Sequence, residues 1–398
     1  MHAPSSRPLV HILLSGGFRL FFPASALLAA LAIAIWVPWY LGLIDFPSAL
    51  PPLAWHQHEL LFGFVPGVVA GFLLTAVPNW TGRPAIVGRP LFWLFLLWLA
   101  GRVAIAFSGW TGLAFAIPIA FAFLPVFTLR IGRELAAAGN RRNYKILVVL
   151  AALSLAQVLF HLELLCFGEV LAGNRLALAT IILMICLVAG RIVPTFTSNW
   201  LKTQNPGRMP IAFSKFDAAV IVQSLIALLA WVAEARATIE MAVPVGVLML
   251  VSGIAHLIRQ ARWCPERTWR EPLLWILHLG YLFVPTGFLL TGLALLLGDA
   301  GLTTAGIHAW TAGAIGIMTL AVMTRATRGH SGLPLQAPQT TTWLIYALAI
   351  VSVCARIAAA VLPLDPAILL SVASFAWVTA FISFTVLYRP DRQMERPH

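Results

Sequence analysis

Runs of about 20 apolar residues recur along this chain, separated by short polar or turn-forming stretches. A run of that length lets a helix cross about 30 Å of hydrocarbon. The pattern predicts helices over 18–41, 57–78, 89–107, 111–130, 145–168, 174–196, 215–233, 239–260, 271–297, 302–325, 341–362 and 366–388. The fold class is therefore all-α, a polytopic membrane protein of about twelve transmembrane helices. It reads as a single integral membrane domain over 1–398, with no soluble part. The first run, Phe18 to Leu41, is too long for a signal-peptide core and no small-residue cleavage site follows it. Pro38, Pro66, Pro118, Pro125, Pro194, Pro244 and Pro285 fall inside predicted helices. A membrane tolerates them where neighbouring groups satisfy the freed carbonyls.

Composition excludes a soluble protein. The chain is 60% hydrophobic and 10% charged, against about 25% charged in soluble domains. Its net charge of +12 would suit nucleic acid, but the positions argue against it. Loops on one side hold Arg83, Arg89, Arg130, Arg133, Arg141, Arg142, Lys145, Lys202, Arg208, Lys215, Arg259, Arg262, Arg267, Arg270, Arg325 and Arg328. The terminal segments add Arg7, Arg19, Arg389, Arg392 and Arg396. Arg102, Arg175, Arg236 and Arg356 lie on or near the other face. This positive-inside pattern puts both termini in the cytoplasm, with a lipid bilayer as the partner. Cys166, Cys186, Cys264 and Cys354 show no ligand or redox spacing and read as small apolar residues within helices.

The predicted helices 4, 8 and 12 each end in Arg-x-x-Arg, at Arg130/Arg133, Arg259/Arg262 and Arg389/Arg392, in steps of 129 and 130 residues. Helices 3, 7 and 11 each carry an outer-side arginine, at Arg102, Arg236 and Arg356. A fixed period predicts three pseudo-repeats of four helices. An offset of 250 residues lays helix 2 on helix 10, with His58 opposite His308 at matched depth.

Ionisable residues in such helices are costly and usually functional. Seven of the ten histidines lie in or beside apolar runs: His56, His58, His161, His256, His278, His308 and His330. Imidazole suits iron and copper, so they suggest a buried metal and haem above all. His58 and His308 are placed to clamp a haem edge-on between two helices, with Arg102 and Arg356 near its propionates. His56 and Glu59 share a face, whereas His58 points about 200° from His56. The two imidazoles therefore do not serve one metal from a regular helix, which leaves His56 as an outer-site ligand or proton carrier. Glu59 orients an imidazole or carries protons inward. His278 lies one to two turns into helix 9, with Tyr281 on its face, and suits a second, inner site. His330 joins that site only if helix 10 ends before Gly329 and its loop folds back; otherwise it is a hydrated loop histidine. Arg191, inside helix 6, should meet a carboxylate or a propionate. His161 is a ligand or a core partner of Glu163, and His256 reads as interfacial.

Several segments together resemble the NnrS family of bacterial membrane haem proteins: Trp55-His56-Gln57-His58-Glu59-Leu60-Leu61-Phe62-Gly63, 71–82, 191–199, His278-Leu279-Gly280-Tyr281 and 308–332. The resemblance implies the bacterial inner membrane, one or two haems b with copper or iron as a further metal, and nitric oxide as the ligand. Helices 2 and 10 with histidines also resemble the catalytic subunit of haem-copper oxidases and nitric oxide reductases. That subunit places a second metal on histidines of helices 6 and 7, and here those helices have none. The reading is a nitric oxide reductase fed by a quinol or a cytochrome, with Glu59, Tyr281 and Arg191 as catalytic candidates; Glu163 is a further proton carrier. The alternative is a non-enzymatic sensor of nitric oxide or a transporter of haem, copper or a metal–nitrosyl complex.

Overall fold

The computed structural model describes residues 9–204, 206–237, 240–332 and 340–388. Among them there is no strand, and twelve helices are long and apolar enough to cross a membrane. They are α1 (Gly17–Tyr40), α2 (Pro52–Thr81), α3 (Arg89–Ala106), α4 (Leu113–Ala137), α5 (Arg141–Phe167) and α6 (Ala172–Leu201). The rest are α7 (Lys215–Glu234), α8 (Ala242–Ala261), α9 (Pro272–Leu297), α10 (Ala300–His330), α11 (Thr340–Val361) and α12 (Pro366–Leu387). The chain is a multi-pass membrane protein.

Each predicted run overlaps one of these helices. Several helices run on past the apolar stretch: α2 starts at Pro52, α4 reaches Ala137, α6 reaches Leu201 and α10 reaches His330. Hydropathy marks the part of a helix that sits in hydrocarbon and is blind to polar turns that project beyond it. Arg130 and Arg133 lie on α4, and Arg259 and Arg262 at the end of α8. Arg7, Arg389, Arg392 and Arg396 lie outside the described residues.

The chain divides into two compact units. One comprises Met1–Val158, Met323–Leu335 and Phe381–His398, the other Leu159–Val322 and Gln336–Ala380. In the first unit α2 is central and touches α1, α3 and α4. Lipid tails are as apolar as leucine, so helices associate by close packing and polar pairing. The sequence of α2 supplies the close packing with glycines at every fourth position. A Cβ at Gly67 would stand 2.3 Å from the Ser25 hydroxyl of α1, and one at Gly71 2.6 Å from the Phe22 ring. In the second unit α9 is central, against α6, α8, α10 and α11. There Gly246 of α8 and Gly292 of α9 meet backbone to backbone: a Cβ on Gly292 would lie 2.8 Å from the Gly246 carbonyl oxygen.

The two most buried spans, α2 and α10, are not uniformly α-helical. Glu59–Phe64 of α2 and Ala309–Ile317 of α10 are π-helical. A π turn pairs i with i+5 and is rare outside functional sites. Val65 accordingly donates to the Leu60 carbonyl. Pro66 has no N–H for the Phe62 carbonyl, which removes one α-type bond from this turn. The two π turns begin 250 residues apart, one directly after His58 and the other directly after His308.

Topology follows from counting helices. Three spans separate Asp45 from Gly139, and eight separate Asp45 from Asp299. Single cysteines at Asp45 and Asp299 should react with an impermeant maleimide from one and the same side of the membrane, and one at Gly139 from the opposite side. Reaction of Asp45→Cys and Gly139→Cys from the same side would contradict the twelve-span order.

Candidate functional site

The polar interior of the first unit is built around the start of the α2 π turn. His58 and Glu59 are fully buried there. The Nδ1 of His58 is 3.0 Å from Glu59 Oε1. Adjacent side chains of an α-helix do not face each other, but the wider π turn rotates successive residues by less, which brings this pair together. Arg102 of α3 donates from Nη1 to the same Oε1 at 2.9 Å. Gly63 makes room for that arginine, since a Cβ there would stand 2.7 Å from Arg102 Nη1. One turn earlier on α3, Trp98 donates from Nε1 to the Gly63 carbonyl at 2.9 Å, satisfying an oxygen of the π turn.

With Nδ1 turned to a carboxylate, His58 carries its lone pair on Nε2, the nitrogen that would meet a metal. The amide Nε2 of Gln157 stands 3.5 Å from it and also donates to the Ala120 carbonyl at 3.4 Å. Glu59 Oε2, Arg102 Nε and Gln157 Oε1 are buried polar atoms with no hydrogen-bond partner among the described residues. This cluster has unused capacity for a ligand or for water. His56 lies elsewhere on the turn, stacked on Trp36 at 4.0 Å between ring centres.

The second unit holds a longer polar network, most of which was not visible in the sequence. His256, read as interfacial, is fully buried, as are Arg259 and Tyr281. The directions of its hydrogen bonds can be worked out from one end. Ser224 spends its hydroxyl hydrogen on the Val220 carbonyl at 2.8 Å. His256 must therefore donate from Nε2 to Ser224, at 2.9 Å. Its Nδ1 is then an acceptor, and the Tyr281 hydroxyl donates to it at 2.8 Å. Arg259 Nη1 donates to that hydroxyl oxygen at 2.8 Å and to the Cys186 carbonyl at 3.1 Å. Arg259 Nε meets Asp217 Oδ1 at 3.1 Å. Asp217 is fixed in turn by the capping box at Ser214 that opens α7.

Gly190 makes room for Arg259, as a Cβ there would fall 2.1 Å from its Nη2. The signal in the sequence was the run Gly190-Arg191. The arginine that uses this gap is Arg259 from another helix, while Arg191 itself is exposed on α6. Of the two partners expected for Arg191, a carboxylate or a propionate, no carboxylate pairs with it among the described residues.

His278 is buried one turn from Tyr281. Thr197 donates its hydroxyl to the Val193 carbonyl, so His278 Nε2 donates to Thr197 at 2.9 Å. The Nδ1 of His278 is left a buried acceptor with no hydrogen-bond partner among the described residues. His308 ends the α turns before the second π segment, and its Nδ1 donates to the Thr304 carbonyl at 2.8 Å. Like His58, it therefore keeps its lone pair on Nε2. Phe288 joins the two parts of this unit, stacked on His256 at 5.6 Å and edge-on to Trp310 of the π turn at 5.1 Å.

The family model for NnrS protein matches residues 12–391. The chain belongs to the NnrS family. No curated protein matches it.

Other predicted residues of this NnrS chain fall as follows. Arg102 points to Glu59. Arg356 lies half-buried on α11. His330 is exposed at the end of α10, 5.5 Å from the Phe18 ring. The helix is unbroken to His330, so the fold-back needed to bring His330 to His278 is not formed. Glu163 accepts from the N–H groups of Leu171, Ala172 and Gly173 at 2.8–3.1 Å and from Arg236 at 3.0 Å. It caps the N-terminus of α6, where a carboxylate meets the positive end of the helix dipole. It does not pair with His161, which is buried on the same helix.

Donor chemistry discriminates between metal groups. No three of His, Cys, Asp and Glu converge as a metal ion would require, among the described residues. A separate copper or iron ion held by three such side chains therefore does not fit. A haem brings four nitrogens of its own and asks the protein for one or two imidazoles rather than a cluster of ligands, a demand that single histidines such as His58, His308 and His278 fit.

Two substitutions test this architecture. Arg102→Met leaves the buried Glu59 carboxylate without its cation and should cost about 3–5 kcal/mol, seen as a lower thermal unfolding midpoint. Adding Glu59→Gln should recover most of the loss; an equal midpoint for the single and double variants would show that the pair is not coupled. Gly190→Ala should force Arg259 out of place and cost about 1–3 kcal/mol, whereas Gly139→Ala, in an open turn, should leave the buried network untouched.

Proposed function

We propose that this protein is a haem-containing membrane protein that binds nitric oxide and reduces it, 2 NO + 2 e⁻ + 2 H⁺ → N₂O + H₂O. It would work in a bacterial inner membrane with both termini cytoplasmic, drawing electrons from a quinol or a cytochrome. The observation that carries this reading is the state of His58, a fully buried imidazole. Its Nδ1 is held by a carboxylate that is itself held by an arginine. That is the outer-shell arrangement of a metal-ligating histidine.

His58 would be the haem ligand of the first unit, through Nε2, and His308 and His278 would be the candidate ligands of the second, through Nε2 and Nδ1. When bound, haem supplies an iron that exchanges electrons and has a position for nitric oxide. The chain's own residues do the rest. Glu59 fixes the ring plane and tautomer of His58, and its Oε2 is the buried atom at which a proton can wait. Arg102 holds Glu59 and keeps Nε for an acidic group of the ligand, with Arg356 as the corresponding cation in the second unit. Tyr281 holds its proton toward His256, and Arg259 fixes the phenol oxygen. His56, stacked on Trp36, suits proton entry at the outer end of α2. Arg191 and His330, both exposed, have no part in this reading.

His58→Ala and His308→Ala should each lose haem or turn its spectrum high-spin, measured by pyridine haemochrome and optical spectra of the purified protein. Wild-type protein with a reductant should consume nitric oxide, and both variants should lose that activity. Unchanged haem content and spectra in both variants would refute the ligand assignment. A haem that stays six-coordinate and turns over no nitric oxide would mark a sensor or carrier instead.

A further inference from the structure

α3 and α4 touch where Gly101 faces Ala120; a Cβ at Gly101 would lie 2.9 Å from the Ala120 Cα. Between that contact and the N-terminus of α3 the two helices leave an open groove of about 530 Å³. Its walls are apolar, from Trp93, Leu94, Leu96, Leu97 and Val126, and Arg130 is the charged residue that lines it. The groove runs along α3 from Pro90 to Ala100. Ten residues of helix span about 15 Å, half of a hydrocarbon core of about 30 Å. The slot therefore has the length of a single leaflet, with its cation at the polar end.

That end carries excess positive charge. Arg130 and Arg83 share Glu134, at 3.3 and 2.7 Å, so one carboxylate faces two guanidinium groups. The Nε of Arg130 is buried and has no hydrogen-bond partner among the described residues. Arg89, exposed at the start of α3, and Arg133, exposed beyond Arg130, add to the same end. Basic pockets between helices, on the side where loop arginines gather, take anionic lipid headgroups. We propose that this groove is a binding site for one anionic phospholipid, its acyl chain along Trp93–Leu97 and its phosphodiester at Arg130. A zwitterionic lipid offers the same chain without the net charge, and a quinone head offers acceptors but no anion.

The test uses the delipidated full chain in detergent, titrated with phosphatidylglycerol or phosphatidylcholine of identical chains, with bound lipid counted by native mass spectrometry. Wild type should retain one phosphatidylglycerol, and Arg130→Gln should weaken it about fivefold, toward the phosphatidylcholine level. Leu97→Trp, which fills the groove and leaves the charge alone, should weaken both lipids. Thermal midpoints near wild type establish that the variants are folded. Equal retention of the two lipids by wild type, or phosphatidylglycerol binding that neither variant alters, overturns the proposal. Displacement of the lipid by ubiquinone, equally in wild type and Arg130→Gln, overturns it too and makes the groove a quinone site.

Discussion

A carboxylate in the interior of a membrane bundle costs several kcal/mol unless a cation and hydrogen bonds stand beside it. Glu59 is fully buried on α2, and Arg102 reaches it from α3. Much of the first unit follows from this pair. It ties two helices that the hydrophobic effect cannot hold together in lipid. It requires the missing side chain at Gly63, without which the arginine has no path. It also fixes which nitrogen of His58 faces the carboxylate, Nδ1, and so turns Nε2 toward Gln157.

The second unit solves the same problem with different helices. Arg259 is buried, paired to Asp217, and admitted by Gly190 as Arg102 is admitted by Gly63. Beside it stands a histidine whose tautomer is set by the network, here through Tyr281 and Ser224. In each unit an arginine, admitted by a glycine of another helix and paired to a carboxylate, helps to orient an imidazole. The hydrogen bonds of His256 engage both of its ring nitrogens, so this histidine reads as a support for Tyr281. His58, His278 and His308 each turn one ring nitrogen to an oxygen of the protein, and His278 keeps a buried Nδ1 with no hydrogen-bond partner among the described residues.

The π turns give the two candidate haem histidines a common backbone setting. A histidine directly before a π turn sits where the helix widens and its neighbours leave α spacing. On α2 that change brings Glu59 to His58. On α10 it accompanies Gly313 and Gly316, whose missing side chains let Phe283 and Trp377 press on the backbone. The match of the two turns at one offset agrees with the alignment of α2 and α10.

What the sequence determined was everything that depends on the exchange of water for hydrocarbon. Twelve apolar runs and their order were legible because transfer free energy acts residue by residue along the chain. That His58, Glu59 and Tyr281 need partners was legible for the same reason, since polar groups in such runs are costly wherever they point. Their partners were not. Arg102 was placed near a propionate, and the protein group that its Nη1 meets is Glu59; Arg259 was read as a helix-end charge and lies at the centre of a buried network. Glu163 was read as a proton carrier and caps α6. Each outcome turns on which helix stands opposite, and in which rotation, and no local period encodes that. The glycines at 63 and 190 were visible as letters, but the side chains that fill their space come from helices 39 and 69 residues away. Only the tertiary structure brings them together, because an ion pair in hydrocarbon is decided by distance in space.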